Sequence, residues 1–138
     1  MKSKKFITLT LIITLLLSAC KGLSSDHAGP VISDISTTSK VLVISDCLDT
    51  SVTITAKVTD ESKITGVLLW YRVGSDQPFA SVSMDAQEEL YTASVKGIDL
   101  QGHGYGAMKF YITAKDGEGN SSKSPLDNSI QFLPCVNS

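Results

Sequence analysis

Ser51-Val52-Thr53-Ile54-Thr55-Ala56-Lys57-Val58-Thr59 decides the fold class. Val52, Ile54, Ala56 and Val58 fall on one face of an extended chain, and Thr53, Thr55, Lys57 and Thr59 on the other. Successive side chains of a strand point to opposite faces, so this alternation describes a half-buried antiparallel strand, with one side on a core and the other in water.

Working outward, the same grammar repeats. Asp60-Glu61-Ser62 turns the chain, residues 64–73 form the next strand, and Gly74-Ser75-Asp76-Gln77-Pro78 ends it. Upstream, residues 31–35 and 40–44 read as two halves of a split first strand. Downstream, strands at 79–84 and 90–95 flank the polar Asp85-Ala86-Gln87-Glu88-Glu89, a glycine-punctuated loop covers 97–106, and strands follow at 108–115 and 130–133. No apolar spacing persists at the helical period. About seven strands with regular turn signals predict an all-β chain folded as an antiparallel β-sandwich, one domain over residues 30–138 without internal repeats.

Phase assigns faces. In strand 64–73 the odd positions Val67, Leu69, Tyr71 and Val73 are uninterrupted and point to the core, whereas Leu68 and Trp70 share a phase that ends at Arg72. In strand 108–115, Met108, Phe110, Ile112 and Ala114 point inward, and Lys109, Tyr111 and Thr113 outward. An inverted phase would instead bury Trp70.

The amino terminus speaks of location. Lys2, Lys4 and Lys5 precede an apolar run from Phe6 to Leu17, too short for a stable span but shaped as an export signal over residues 1–19. Leu17-Ser18-Ala19-Cys20 resembles the lipobox of bacterial lipoproteins. That resemblance implies a diacylglyceryl thioether on Cys20, cleavage before it, and acylation, typically by palmitate, of the new amino terminus. Multiple acyl chains on one residue give lasting membrane attachment. Lys21 stands where an aspartate would favour the inner membrane, so the expected localisation is the cell membrane or outer membrane, with the domain outside the cytoplasm. Residues 20–29 are the lipidated cysteine and a small, polar tether of roughly 30 Å at full extension.

The chain has 12 basic and 14 acidic residues. Removing the three lysines before Cys20 leaves nine against 14, a formal charge of about −5 that gives no footprint for nucleic acid. With Cys20 lipidated, Cys47 and Cys135 remain, beyond the cytoplasm, either as a disulfide or as two separately buried thiols.

Val-Thr-Asp at 58–60, Leu-Trp-Tyr-Arg at 69–72, Leu-Tyr-Thr-Ala at 90–93 and Phe-Tyr-Ile-Thr-Ala-Lys-Asp-Gly-Glu-Gly-Asn at 110–120 are similar to immunoglobulin-like, fibronectin-III-like domains of bacterial surface proteins. The resemblance implies that strands 64–73 and 108–115 are neighbours, so that Trp70 and Tyr111 share an outer face with Leu68, Arg72 and Lys109. Such a face is a candidate platform for a protein or a glycan; its plainer reading is cross-strand stacking. The same topology puts Cys47 and Cys135 at one pole, and gathers Asp60, Glu61, Asp116 and Glu118 at the other, as a weak calcium alternative or as ordinary turn acids.

No nucleophile-and-base motif or metal set appears, and only His27 and His103 supply imidazole. Gly102-His103-Gly104-Tyr105-Gly106 lacks the βαβ setting of a phosphate cradle. The expectation is a cofactor-free, non-enzymatic, membrane-anchored interaction module. The alternative is an envelope accessory or inhibitor protein docking by strand addition at a sheet edge or through its distal loops.

Overall fold

A computed structural model of the chain describes residues 26–44, 50–100 and 106–134. Ten strand segments are present among them: β1 (Val31–Thr37), β2 (Val41–Ile44), β3 (Ser51–Thr59), β4 (Ile64–Val73), β5 (Ala80–Ser83), β6 (Asp85–Gln87), β7 (Leu90–Lys96), β8 (Gly106–Asp116), β9 (Ser121–Lys123) and β10 (Asn128–Pro134). A 3₁₀ turn at Gly97–Leu100 follows β7. One sheet has the order β1-β3-β7-β6; the other has β2-β10-β8-β4-β5, with β9 also on β8. The two sheets make a β-sandwich.

Period-two patterning accounts for the layering. Along β3, Val52, Ile54, Ala56 and Val58 are all buried, and the intervening residues are exposed or half-buried. From the facing sheet come Val67, Leu69 and Val73 of β4, Met108, Phe110, Ile112 and Ala114 of β8, and Ile130 and Phe132 of β10. Tyr71 is half-buried and packs against this core. Both phase assignments made from sequence hold, and Trp70 lies outside.

Two expectations need correction. Beyond the expected split of the first strand into β1 and β2, about seven strands become ten segments because the last strand is interrupted as well and Asp85–Gln87 forms a short strand of its own. β1 pairs with β3; the chain then crosses between sheets, and β2 pairs with β10. Thr38 secures the crossing, its amide donating to the Thr53 carbonyl and its hydroxyl accepting from the Thr53 amide, both at 3.0 Å. The last strand breaks between β9 and β10. There Ser124 fills the gap: its amide donates to the Ile112 carbonyl and its hydroxyl accepts from the Ile112 amide. The sandwich is also not wholly antiparallel, since β2 runs parallel to β10 while every other described pair is antiparallel. Having switched sheets, β2 runs alongside the last strand instead of folding back on its predecessor.

Strand directions define two poles. β3 and β8 end, and β4 begins, at the pole carrying Asp60 and Asp116; β4 and β10 end at the other. No helix among the described residues is long and apolar enough to cross a membrane.

Candidate functional site

The outward face of β4, β8 and β9 is built in rows across the sheet. Register places Trp70 opposite Tyr111, Arg72 opposite Lys109, Leu68 opposite Thr113, and Gly66 opposite Lys115. β9 extends two rows, with Lys123 beside Thr113 and Ser121 beside Lys115. All five residues expected on this face from sequence are therefore brought together.

The aromatic rings are held in place. Trp70 and Tyr111 lie nearly parallel, 8° apart with centroids separated by 6.0 Å. Trp70 Nε1 donates to Thr113 Oγ1 at 2.9 Å. Phe79 meets Tyr111 edge-on at 5.0 Å. Two cations sit on rings: Lys123 Nζ is 3.8 Å from the Tyr111 centroid, and Arg72 Cζ is 4.6 Å from that of Phe79. Contacts of these kinds each contribute about 0.5–1.5 kcal/mol. One face of Tyr111 is thus covered by an ammonium, so the ring is not a bare stacking platform.

Charge on this face is of one sign. Arg72, Lys109, Lys115 and Lys123 project from it, and no acidic residue shares their phase on β2, β4, β5, β8, β9 or β10. Among the described residues none of the four forms an ion pair. Lys57 of the other sheet, by contrast, pairs with Glu89 at 3.0 Å, which raises its pKa through the hydrogen bond and the charge of Glu89. Like charges opposite one another in a sheet are destabilising, and Arg72 stands opposite Lys109. Arg72 donates from one guanidinium nitrogen to the Ser75 carbonyl at 3.2 Å, while its buried Nε has no acceptor among the described residues.

Beside the ring ladder lies a groove of about 480 Å³, lined by Gly66, Leu68, Thr113, Lys115, Ser121 and Lys123 together with their neighbours. Its floor is open because Gly66 carries no side chain; a Cβ there would meet nothing within 4 Å.

At the acidic pole Asp60 and Asp116 do meet, but Glu61 and Glu118 remain exposed outside the cluster. Asp26 takes the third place, with carboxylate oxygens of the three within 4.8 Å of one another. Their oxygens are already engaged. Asp116 accepts from the Asn120 amide and side-chain nitrogen, both at 2.7 Å; Asp60 accepts from the Ser62 amide at 2.7 Å. Asp26 accepts from the Ala28 amide at 2.9 Å and the Ser62 hydroxyl at 3.0 Å. Those two donors hold Asp26 below the ordinary aspartate value. For Asp60 the Ser62 amide pulls downward, yet desolvation, the hydrogen bond shared with Asp26 and the charges of Asp26 and Asp116 together raise it. Calcium takes about six to eight oxygen ligands. This cluster instead reads as turn chemistry that clasps the chain's entry: Asn120 Nδ2 also donates to the Asp26 carbonyl at 3.1 Å, so the chain is fastened to the domain four residues ahead of Pro30.

Cys20, Cys47, Cys135 and His103 lie outside the described residues. Sequence reading missed Phe79, Lys115, Lys123 and Asp26. Counting register back across the turn at Asp116-Gly117-Glu118-Gly119-Asn120 would have found Lys123 opposite Thr113. Apart from its bond with the Ala28 amide, Asp26 is held by Ser62 and Asn120, residues distant in the chain, so no local pattern marks it as a member of the acidic pole.

No family model matches this chain, and no curated protein matches it. Among solved structures it is similar to wild-type OgpA from Akkermansia muciniphila, with a TM-score of 0.52 and 10% sequence identity over 72% of this chain. The chain spans only 27% of that protein's length, and the likeness concerns the fold alone.

Proposed function

We propose that the protein is a lipid-anchored, non-enzymatic Ig-like (fibronectin-III-like) module of a bacterial envelope that works by binding a protein or glycan partner on the outer face of its larger sheet. The observation that carries this reading is the ladder Trp70–Tyr111–Lys123, flanked by Arg72 and Lys109, on a face whose four cations have no acidic partner among the described residues. Aromatic and arginine side chains are the usual anchors of binding surfaces. The Ig-like assignment is supported by strand order: a four-strand sheet of order β1-β3-β7-β6 faces one in which β2, the split-off half of the first strand, runs beside the last.

Membrane attachment rests on the lipobox-like Leu17-Ser18-Ala19-Cys20, with acylation of Cys20. A Cys47–Cys135 disulfide belongs to the same proposal. What supports it is the pairing of Ile44 with Pro134, the latter immediately before Cys135, which brings the flanks of the two cysteines side by side. Docking by strand addition has less to recommend it. The edge strands β2, β5 and β6 have four, four and three residues, and β1 is broken by a register shift around Asp34, whose φ is 51°. Short and bulged edges resist pairing.

The experiment has two arms. Metabolic labelling with an alkynyl palmitate, followed by mass spectrometry of the amino terminus, tests the anchor; an unlipidated Cys20 removes it. Trp70→Ala and Tyr111→Ala, compared with wild type for association in the native envelope, test the face. Lower stability with unchanged association would reduce the ladder to cross-strand stacking.

A further inference from the structure

We infer that the groove at Gly66 is a subsite for an anionic polysaccharide, a chain of hydroxyl-rich rings bearing carboxylate or sulfate groups. This rests on the outer face being the working surface, and it names the chemistry of the occupant.

Charge complementarity comes first. The groove is flanked by Lys115 and Lys123, Lys109 and Arg72 continue the same face, and none of these cations is neutralised within the described residues. Arg72 and Lys109 stand opposite each other, an arrangement that a bound anion would relieve. Meanwhile the chain as a whole is acidic, with a formal charge of −2. Four of the eight basic side chains among the described residues project from this one sheet face, with no acid in their phase.

The donor set selects a polyol over other anions. Thr113 Oγ1 accepts from Trp70 Nε1, which leaves its own hydrogen free to donate into the groove. Ser121 projects from the same face, in the row of Lys115. Hydroxyl and ammonium donors, with the apolar Leu68 as one wall, suit a sugar ring carrying a charged group. An acidic peptide would bind best by extending a ladder. This groove lies over the sheet, where β4 and β9 both already pair with β8, so a peptide backbone finds no ladder to extend there. A flat membrane surface does not enter a concavity of about 480 Å³. Tyr111, with Lys123 over one face, stands beside the groove and offers it no stacking platform.

The test is affinity electrophoresis and titration of the full chain in mild detergent, with polygalacturonate, chondroitin sulfate, neutral dextran and polyglutamate as probes. Retention by polygalacturonate or chondroitin sulfate is expected, and none by dextran or polyglutamate. Gly66→Leu should weaken binding about tenfold or more by filling the groove, and leave the fold intact because its Cβ meets no neighbour. Lys115→Gln with Lys123→Gln should weaken it at least as much, through loss of charge-assisted contacts. No retention by either acidic polysaccharide, equal retention by polyglutamate, or full binding by the Gly66→Leu protein would each overturn the inference. Should polysaccharide binding fail while Trp70→Ala and Tyr111→Ala still abolish association in the envelope, the face remains the working surface and only this subsite falls. If those variants leave association untouched, the broader reading falls as well.

Discussion

Asp116→Ala is the perturbation with the largest expected effect on the fold. The carboxylate is 1% exposed and accepts two hydrogen bonds of 2.7 Å, from the backbone amide and the side-chain nitrogen of Asn120. Hydrogen bonds to a charged acceptor contribute about 1.5–3 kcal/mol each, and desolvation of the carboxylate offsets part of the sum, so a net loss of about 2–4 kcal/mol is expected. For a domain of this size that lowers Tm by about 10–20 °C in thermal unfolding followed by circular dichroism. Asp116→Asn keeps an oxygen for the amide but turns a donor toward Asn120 Nδ2, and should lose about half as much. The clasp adds a local signature: with Asn120 released from Asp116, its bond to the Asp26 carbonyl weakens too, and exchange of the Ala28 amide should accelerate more than that of the β3 core. A Tm within 2 °C of wild type for Asp116→Ala would refute the reasoning.

The remaining predictions concern charge, sulfur and metal. Asp60 has a raised folded pKa, so its negative charge costs stability at neutral pH, and that cost disappears as pH falls through the folded pKa toward the ordinary 3.8. Asp60→Asn should therefore be more stable than wild type at pH 7, with the advantage gone below pH 3.8; Tm measured across that range checks it. Asp26, held low by its donors, acts in the opposite sense, so Asp26→Asn should be less stable than wild type at pH 7 and converge with it in acid. Closing a loop of roughly ninety residues stabilises by about 4–5 kcal/mol in the chain-entropy account, so reduction of the proposed Cys47–Cys135 bond should lower Tm; free thiols at both positions in the isolated protein would remove the bond. Millimolar calcium should leave Tm unchanged, because the three aspartates already accept from amide and hydroxyl donors, and a rise of several degrees would show a cation site instead.

The faces of the sandwich were legible in the sequence because they depend on a period of two. Residues 51–59 alternate without error, and the odd phase of β4 is apolar from Val67 to Val73, so the core side and the outward Trp70 follow without tertiary information. The pairing of Trp70 with Tyr111 then needed only the neighbour relation of two strands. Irregularities were not legible. The break between β9 and β10 depends on Ser124 supplying a hydroxyl where the ladder fails, and the register shift in β1 on Asp34 adopting a positive φ. Both are local backbone events that leave no apolar pattern. The acidic pole was half right for a similar reason: turn acids were visible, but Asp26 joins them across 36 residues to Ser62 and 94 to Asn120.

A benzophenone photo-crosslinker placed at Ser81, exposed in the row of Trp70, and separately at Ser94, exposed on the outer face of the other sheet, tests which surface works in the native envelope. Adducts from position 81 and none from position 94 are predicted. Equal adducts from both positions, or adducts from position 94 alone, would contradict the assignment of function to the Trp70–Tyr111 face.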